Sequence, residues 1–161
     1  MTNNIHTQDI QHAQKLWGDG LVKIGGLFLK QDNNQDYKQE ANNLVQDLYA
    51  YNSGQRKVLF KPTKAKHAPF RGDFYAALSY FIGDNTQYPE DKGFAIEPWK
   101  EVSFNNHDIY IHNDIAFAMG EYTFTKYNDE KVKVEYTFGY IKDVNNNLKI
   151  ILHHSSLPFS G

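Results

Sequence analysis

The chain has 161 residues and a formal charge of −2, with Lys and Arg dispersed along it. That suits one domain with a respectable core and argues against a nucleic-acid or anionic-membrane surface. It has no cysteine, so disulfides, thiolate catalysis and cysteine zinc sites are excluded, and redox chemistry says nothing about compartment.

The start, MTNNIHTQDIQ, is polar and lacks an apolar h-region, so the chain as written reads as cytoplasmic. A periplasmic or secreted chain would read the same once a signal peptide had been removed and replaced by an initiator Met. No apolar run approaches the ~20 residues of a membrane helix. From about Thr7 to Lys30, Ile10, Ala13, Trp17, Leu21, Ile24 and Phe28 recur at three- and four-residue spacing, the one-face stripe of an amphipathic helix. Gly18, Gly20, Gly25 and Gly26 weaken that helix by ~1 kcal/mol each relative to Ala if exposed. They read as points of close approach, because GDG and GG match no phosphate-loop spacing.

QDNNQ is a loop, and DYKQEANNLVQDLYAY a second amphipathic helix, with Tyr37, Ala41, Leu44, Val45 and Leu48 on one face and Gly54 as its stop. VLFKPTKA gives a short strand, Val58 to Lys61, broken at Pro62. RGDFYAALSYFIGD gives a short third helix striped by Phe74, Ala77, Leu78 and Phe81 and closed by Gly83. NTQYPEDKG is a loop. From Trp99 the period becomes two: KEVSFNNHDIYIH, DIAFAMGEYTFTKY, KVKVEYTFGYIKD and NLKIILHHSS read as four strands, with turn chemistry in NDE and VNNN. Val132, Val134, Tyr136, Phe138 and Tyr140 alternate with Lys131, Lys133, Glu135 and Thr137. Helices followed by antiparallel strands make an α+β fold, a single domain over 1–161 with helices on one face of a curved antiparallel sheet.

Seven histidines raise the question of metal. His153 and His154 are adjacent in a strand and so face apart, His107 and His112 differ in parity, and H-E-x-x-H is absent; no metal site is expected. Ser155 and Ser156 lack a G-x-S-x-G elbow. Asp73, Asp108, Asp114, Glu121 and Glu135 are locally unremarkable as candidate acid–base pairs. The remaining candidates are polar groups at the rim of an aromatic pocket. On the last strand Leu148, Ile150, Leu152, His154 and Ser156 share the more apolar face, and Lys149, Ile151, His153 and Ser155 the other. The first face is expected to look at the helices and end in His154 and Ser156. They are either hydrogen-bonded caps of the sheet edge or the wall of a small-ligand pocket with a neutral His as acceptor or base. Thr63 at the bend of KPT and Tyr80 in ALSYF, three residues past Ala77, are equally open between ordinary packing and a pocket role.

Taken together, VLFKPTKA, ALSYFIG, EDKGFAIEPW, VEYTFGY and LHHSSLP occur in this order, and the set resembles the iota-class carbonic anhydrases over the span from Trp17 to Pro158. These belong to a group named for similarity to the association domain of calcium/calmodulin-dependent protein kinase II. The resemblance implies a cone-shaped nuclear-transport-factor-like fold, a homodimer paired through the sheet, and interconversion of CO2 and bicarbonate with no cofactor. Several members of the class are described as metal-free and others as metal-dependent. Carried over residue by residue, the pocket Thr falls on Thr63 and the pocket Tyr on Tyr80. The pocket His and Ser fall within HHSS, where parity prefers His154 and Ser156 as catalytic and leaves His153 and Ser155 as further substrate-binding groups. The implied role of His154 is to accept or relay the proton. The competing reading is a non-catalytic module of the same fold that binds a small ligand or oligomerises. An isomerase or dehydratase would want a pocket carboxylate, for which no position is convincing.

Overall fold

Period-3.6 and period-2 stretches separate cleanly along the chain, and they form separate layers. The computed structural model describes residues 4–30, 35–52 and 57–161; Gly54, the expected helix stop, and most of the QDNNQ loop lie outside them. Helix α1 spans Thr7–Lys30 and α2 spans Asp36–Leu48, followed by a 3₁₀ turn at Ala50–Asn52. Strand β1 is Leu59–Lys61, α3 is Phe74–Ile82, and a second 3₁₀ turn covers Phe94–Ile96. Four long strands follow: β2 (Trp99–His112), β3 (Ile115–Lys126), β4 (Lys131–Lys142) and β5 (Leu148–Ser156). The sheet order is β1-β5-β4-β3-β2. The last four strands pair antiparallel as expected, but β1 lies parallel to β5 at the edge, so the sheet is mixed.

The stripe of α1 buries Ile10, Trp17, Leu21 and Ile24 against the sheet. Its glycines allow the approach: a Cβ on Gly25 would stand 2.7 Å from Pro98 Cβ, and one on Gly18 would stand 3.2 Å from Val102 Cβ. Asp73 caps α3 by accepting the Ala76 N–H at 2.9 Å, and Gly83, at φ 66°, ends it. Helix α2 ends at Leu48, earlier than the pattern implied. There Tyr49 turns to an extended conformation, and its backbone bridges Ile150 of β5. That turn aims the Tyr49 ring into the core.

One expectation is reversed on β5. The alternation changes phase within the strand, because Tyr140 pairs with Ile150 while the adjacent Gly139 pairs with Leu152. Ile151 is the extra residue of a β-bulge, and a bulge moves every residue beyond it to the opposite face. Ile150 is therefore inward before it, and His153 and Ser155 are inward after it, whereas His154 is exposed and Ser156 half-buried.

Candidate active site

The inward half of β5 places His153 between two phenyl rings. Phe60 of β1 and Phe138 of β4 are its cross-strand partners. Their rings stack on the imidazole with centroids at 4.8 Å and 4.0 Å. His153 is 2 % exposed. Burial holds it well below the ordinary imidazole range, and His154 acts in the same direction. It is a neutral ring at working pH. Tyr49 meets Nδ1 at 2.8 Å and Tyr122 of β3 meets Nε2 at 3.1 Å. The Trp17 indole N–H donates to the Tyr49 hydroxyl at 3.1 Å.

From Tyr122 the polar contacts continue outward. Its hydroxyl is hydrogen-bonded to that of Ser155, and Ser155 meets the Thr63 hydroxyl at 2.6 Å. Thr63 reaches it because Pro62 ends β1 beside β5 and bends the chain inward. Tyr80, on the buried side of α3, accepts the Lys64 N–H at 3.2 Å. Burial pushes the Tyr80 phenol up, and the hydrogen bond from the Lys64 backbone opposes that only in part. Tyr122 is raised too, first by burial and against the hydrogen bond to Ser155. Both phenols stay protonated and act as hydrogen-bonding groups.

These hydroxyls converge on a cavity of about 10 Å³, the lower limit for holding a single water. Trp17, Phe60, Phe81 and Phe94 close it, and none of its lining residues carries a formal charge. A hollow of about 180 Å³ adjoins it, lined by Lys64, Glu90, Lys92 and Glu97, with Tyr80 and Phe94 common to both. The loop carrying Thr63 and Lys64 is tied down by the Glu90 carboxylate, which accepts the N–H groups of Lys66, His67 and Ala68 at 2.6–3.2 Å. The following turn is held by Arg71, which is 0 % exposed and makes a bidentate pair with Asp91 at 2.7 Å for both bonds. Arg71 also donates to the carbonyls of Ala68 and Ala76, each at 2.8 Å, while Ser79, next to Tyr80, donates to Asp91 at 2.6 Å.

Of the residues singled out in the sequence, Thr63, Tyr80, His153 and Ser155 come together. His154 and Ser156 do not: they pair across to Thr137 and Glu135 on the outer face. Their expected place in the pocket is corrected by the bulge, and with it the proton-relay role given to His154. Tyr122, Tyr49 and Trp17 were not singled out. Their ring spacing reads as core, and the polar tips that join the network leave no separate mark on the pattern. Among the described residues no three His, Asp or Glu side chains cluster in a way that could hold a metal ion.

A family model described as metal-independent carbonic anhydrase matches residues 8–157. The chain belongs to the metal-independent carbonic anhydrase family. A curated metal-independent carbonic anhydrase from Nostoc sp. (strain PCC 7120 / SAG 25.82 / UTEX 2576) is 38 % identical over 156 residues, covering 96 % of this chain and 75 % of the relative. The crystal structure of a cyanobacterial iota-carbonic anhydrase complexed with bicarbonate superposes with a TM-score of 0.93 at 35 % identity, covering 100 % of this chain and 97 % of the other. A nuclear transport factor 2-like protein from Salmonella enterica serovar Typhimurium LT2 shares the fold alone. Its TM-score is 0.55 at 12 % identity, over 95 % and 91 % of the two chains. The α+β cone of this carbonic anhydrase family member is thus nuclear-transport-factor-like, as the motif resemblance implied.

Proposed function

We propose that the chain interconverts CO2 and bicarbonate in the cavity between Thr63, Tyr80 and Ser155. The observation that carries this reading is the convergence of three neutral hydroxyls on a small cavity with aromatic walls and no formal charge, in a member of this family. In hydration a water oxygen bonds to the CO2 carbon, one C=O electron pair moves onto its oxygen, and a proton leaves to a base in solvent. A metal would serve such a step by lowering the pKa of bound water to ~7. Hydroxyls instead hold the two reactants in line and donate hydrogen bonds to the oxygen that gains charge. His153, neutral and stacked between two phenyl rings, belongs to the hydrogen-bonded frame of the site.

Bicarbonate is larger than one water, so binding moves a wall. Phe94 and Tyr80 are two walls with space behind them, in the hollow that Lys64 and Lys92 line together with Glu90, Asp91 and Glu97. We also assign a homodimer to the chain. Supporting it, Phe117 and Met119 of β3 stand exposed on the outer sheet face, away from the helices.

Stopped-flow CO2 hydration with and without a strong chelator tests the activity. Equal rates in both are expected. Loss of rate in chelator overturns the metal-free step, and no rate in either leaves a binding or oligomerising module of the same fold. Sedimentation of the wild type against Met119→Lys tests the dimer, and a wild-type monomer overturns it.

A further inference from the structure

The hydrogen-bonded groups behind the cavity form one connected series, and its direction can be worked out from one fixed end. Trp17 Nε1 is a donor only, so the Tyr49 hydroxyl accepts from it at 3.1 Å. Tyr49 is 0 % exposed, and a buried hydroxyl hydrogen left without an acceptor is costly. Its own proton therefore needs an acceptor, and the one in reach is His153 Nδ1 at 2.8 Å. With Nδ1 accepting, the neutral ring carries its hydrogen on Nε2. Nε2–H then donates to Tyr122 at 3.1 Å, Tyr122 donates to Ser155, and Ser155 donates to Thr63 at 2.6 Å. Thr63 is left with a hydrogen for the cavity side, where Tyr80 already accepts the Lys64 N–H and keeps its own hydrogen free.

We propose that Tyr49 is a positioning residue: by donating to Nδ1 it holds His153 in the Nε2–H tautomer, and so turns the Tyr122–Ser155–Thr63 series so that its last hydrogen faces the cavity. This deepens the carbonic anhydrase reading and rests on it for its catalytic consequence. In the opposite tautomer Nε2 accepts from Tyr122, Tyr122 from Ser155 and Ser155 from Thr63. Thr63 then points its hydrogen inward and presents a lone pair to the cavity. A site in that state repels a bicarbonate oxygen at the position where it should donate to one. The direction matters because the residues of the series are neutral, and the affinity of a neutral pocket for an anion is set by which way its dipoles point. Tyr49 stands outside the cavity lining, so it acts through His153 and not on substrate.

The ¹⁵N spectrum of protein labelled at histidine reads the tautomer directly, with the His153 signals identified by their loss in His153→Gln. The wild type is expected to show a protonated Nε2 and an unprotonated Nδ1. In Tyr49→Phe the Nδ1–H form is expected to appear, with bicarbonate KM raised and kcat lowered at least about tenfold, part of the ~10²–10³ that one lost donor costs. Tyr140→Phe removes another buried hydroxyl, one outside the series, and is expected to leave the tautomer and the kinetics as in the wild type. A wild-type Nδ1–H form overturns the proposal even if Tyr49→Phe fails to fold, and so does Tyr49→Phe with undiminished activity. A wild type that has the Nε2–H tautomer but does not hydrate CO2 overturns the activity instead and leaves the tautomer assignment standing.

Discussion

Replacing Arg71 by Met should be among the most damaging single changes in the molecule. The substitution keeps much of the side-chain volume and removes four hydrogen bonds: two to Asp91, one to the Ala68 carbonyl and one to the Ala76 carbonyl. Asp91 stays buried with Ser79 as its remaining side-chain donor. Removing one partner of a buried ion pair costs about 3–5 kcal/mol, mostly because the other charge is stranded. For a domain of this length each kcal/mol lowers Tm by about 2–4 °C, so a drop of about 6–20 °C is expected. Thermal unfolding followed by circular dichroism at pH 7 measures the drop, and urea unfolding gives the free energies. The double variant Arg71→Met/Asp91→Leu removes the stranded charge, and should be more stable than the sum of the two single changes by about 1–3 kcal/mol. An Arg71→Met variant within about 1 kcal/mol of the wild type, or strictly additive single effects, would refute the account of this pair as the clamp on the turn beside the site.

Tyr80→Phe should lower kcat for CO2 hydration by about 10²–10³ with little change in Tm, whereas His154→Ala should stay near the wild-type rate across pH 6–8. The reverse ranking in stopped-flow assays would put the wrong face of β5 in the site. His153 is held neutral when folded but protonates in the unfolded chain below its ordinary value of 6.5. The unfolded state then binds the extra proton, and stability falls by about 1.4 kcal/mol per pH unit as pH drops below that value. Unfolding curves at pH 6 and pH 5 should show this slope reduced in His153→Gln, and equal slopes would contradict it. The three N–H groups on Glu90 hold its carboxyl down to about 2, from an ordinary 4.5. What Glu90 contributes is present above the ordinary value and is lost as pH falls toward about 2. A carbon NMR titration midpoint near 4.5 would show that the carboxylate does not hold the loop.

The layers of the fold were legible because α1, α3 and β4 each keep one period over their whole length. The Ile10–Trp17–Leu21–Ile24 stripe and the Val134–Tyr136–Phe138–Tyr140 row are the two surfaces that meet. The parallel pairing of β1 was not, since three residues carry too little pattern to say what they lie beside. The parity of His153 was missed for a related reason. Ile150, Ile151 and Leu152 are all apolar, so either phase of β5 offers the helices a greasy residue, and the bulge at Ile151 shows only in the register with Gly139 and Tyr140. Thr63 and Tyr80 were found through motif resemblance. Tyr49 and Tyr122 were hidden because the hydroxyl of a core tyrosine does not change its hydrophobic spacing.

The bulge gives the doubled letters of His-His-Ser-Ser a second meaning. A strand that slipped by one residue would still carry one His and, two positions on, one Ser toward the helices, so the polar half of β5 is indifferent to the slip. The apolar half is not, because Ile150 is seated against Tyr140 and the Tyr49 bridge anchors it there. Register is therefore set by groups that never touch the cavity. An insertion or deletion between Ile150 and His153 would exchange one His–Ser pair for its twin and leave the inward face with the same two side-chain types.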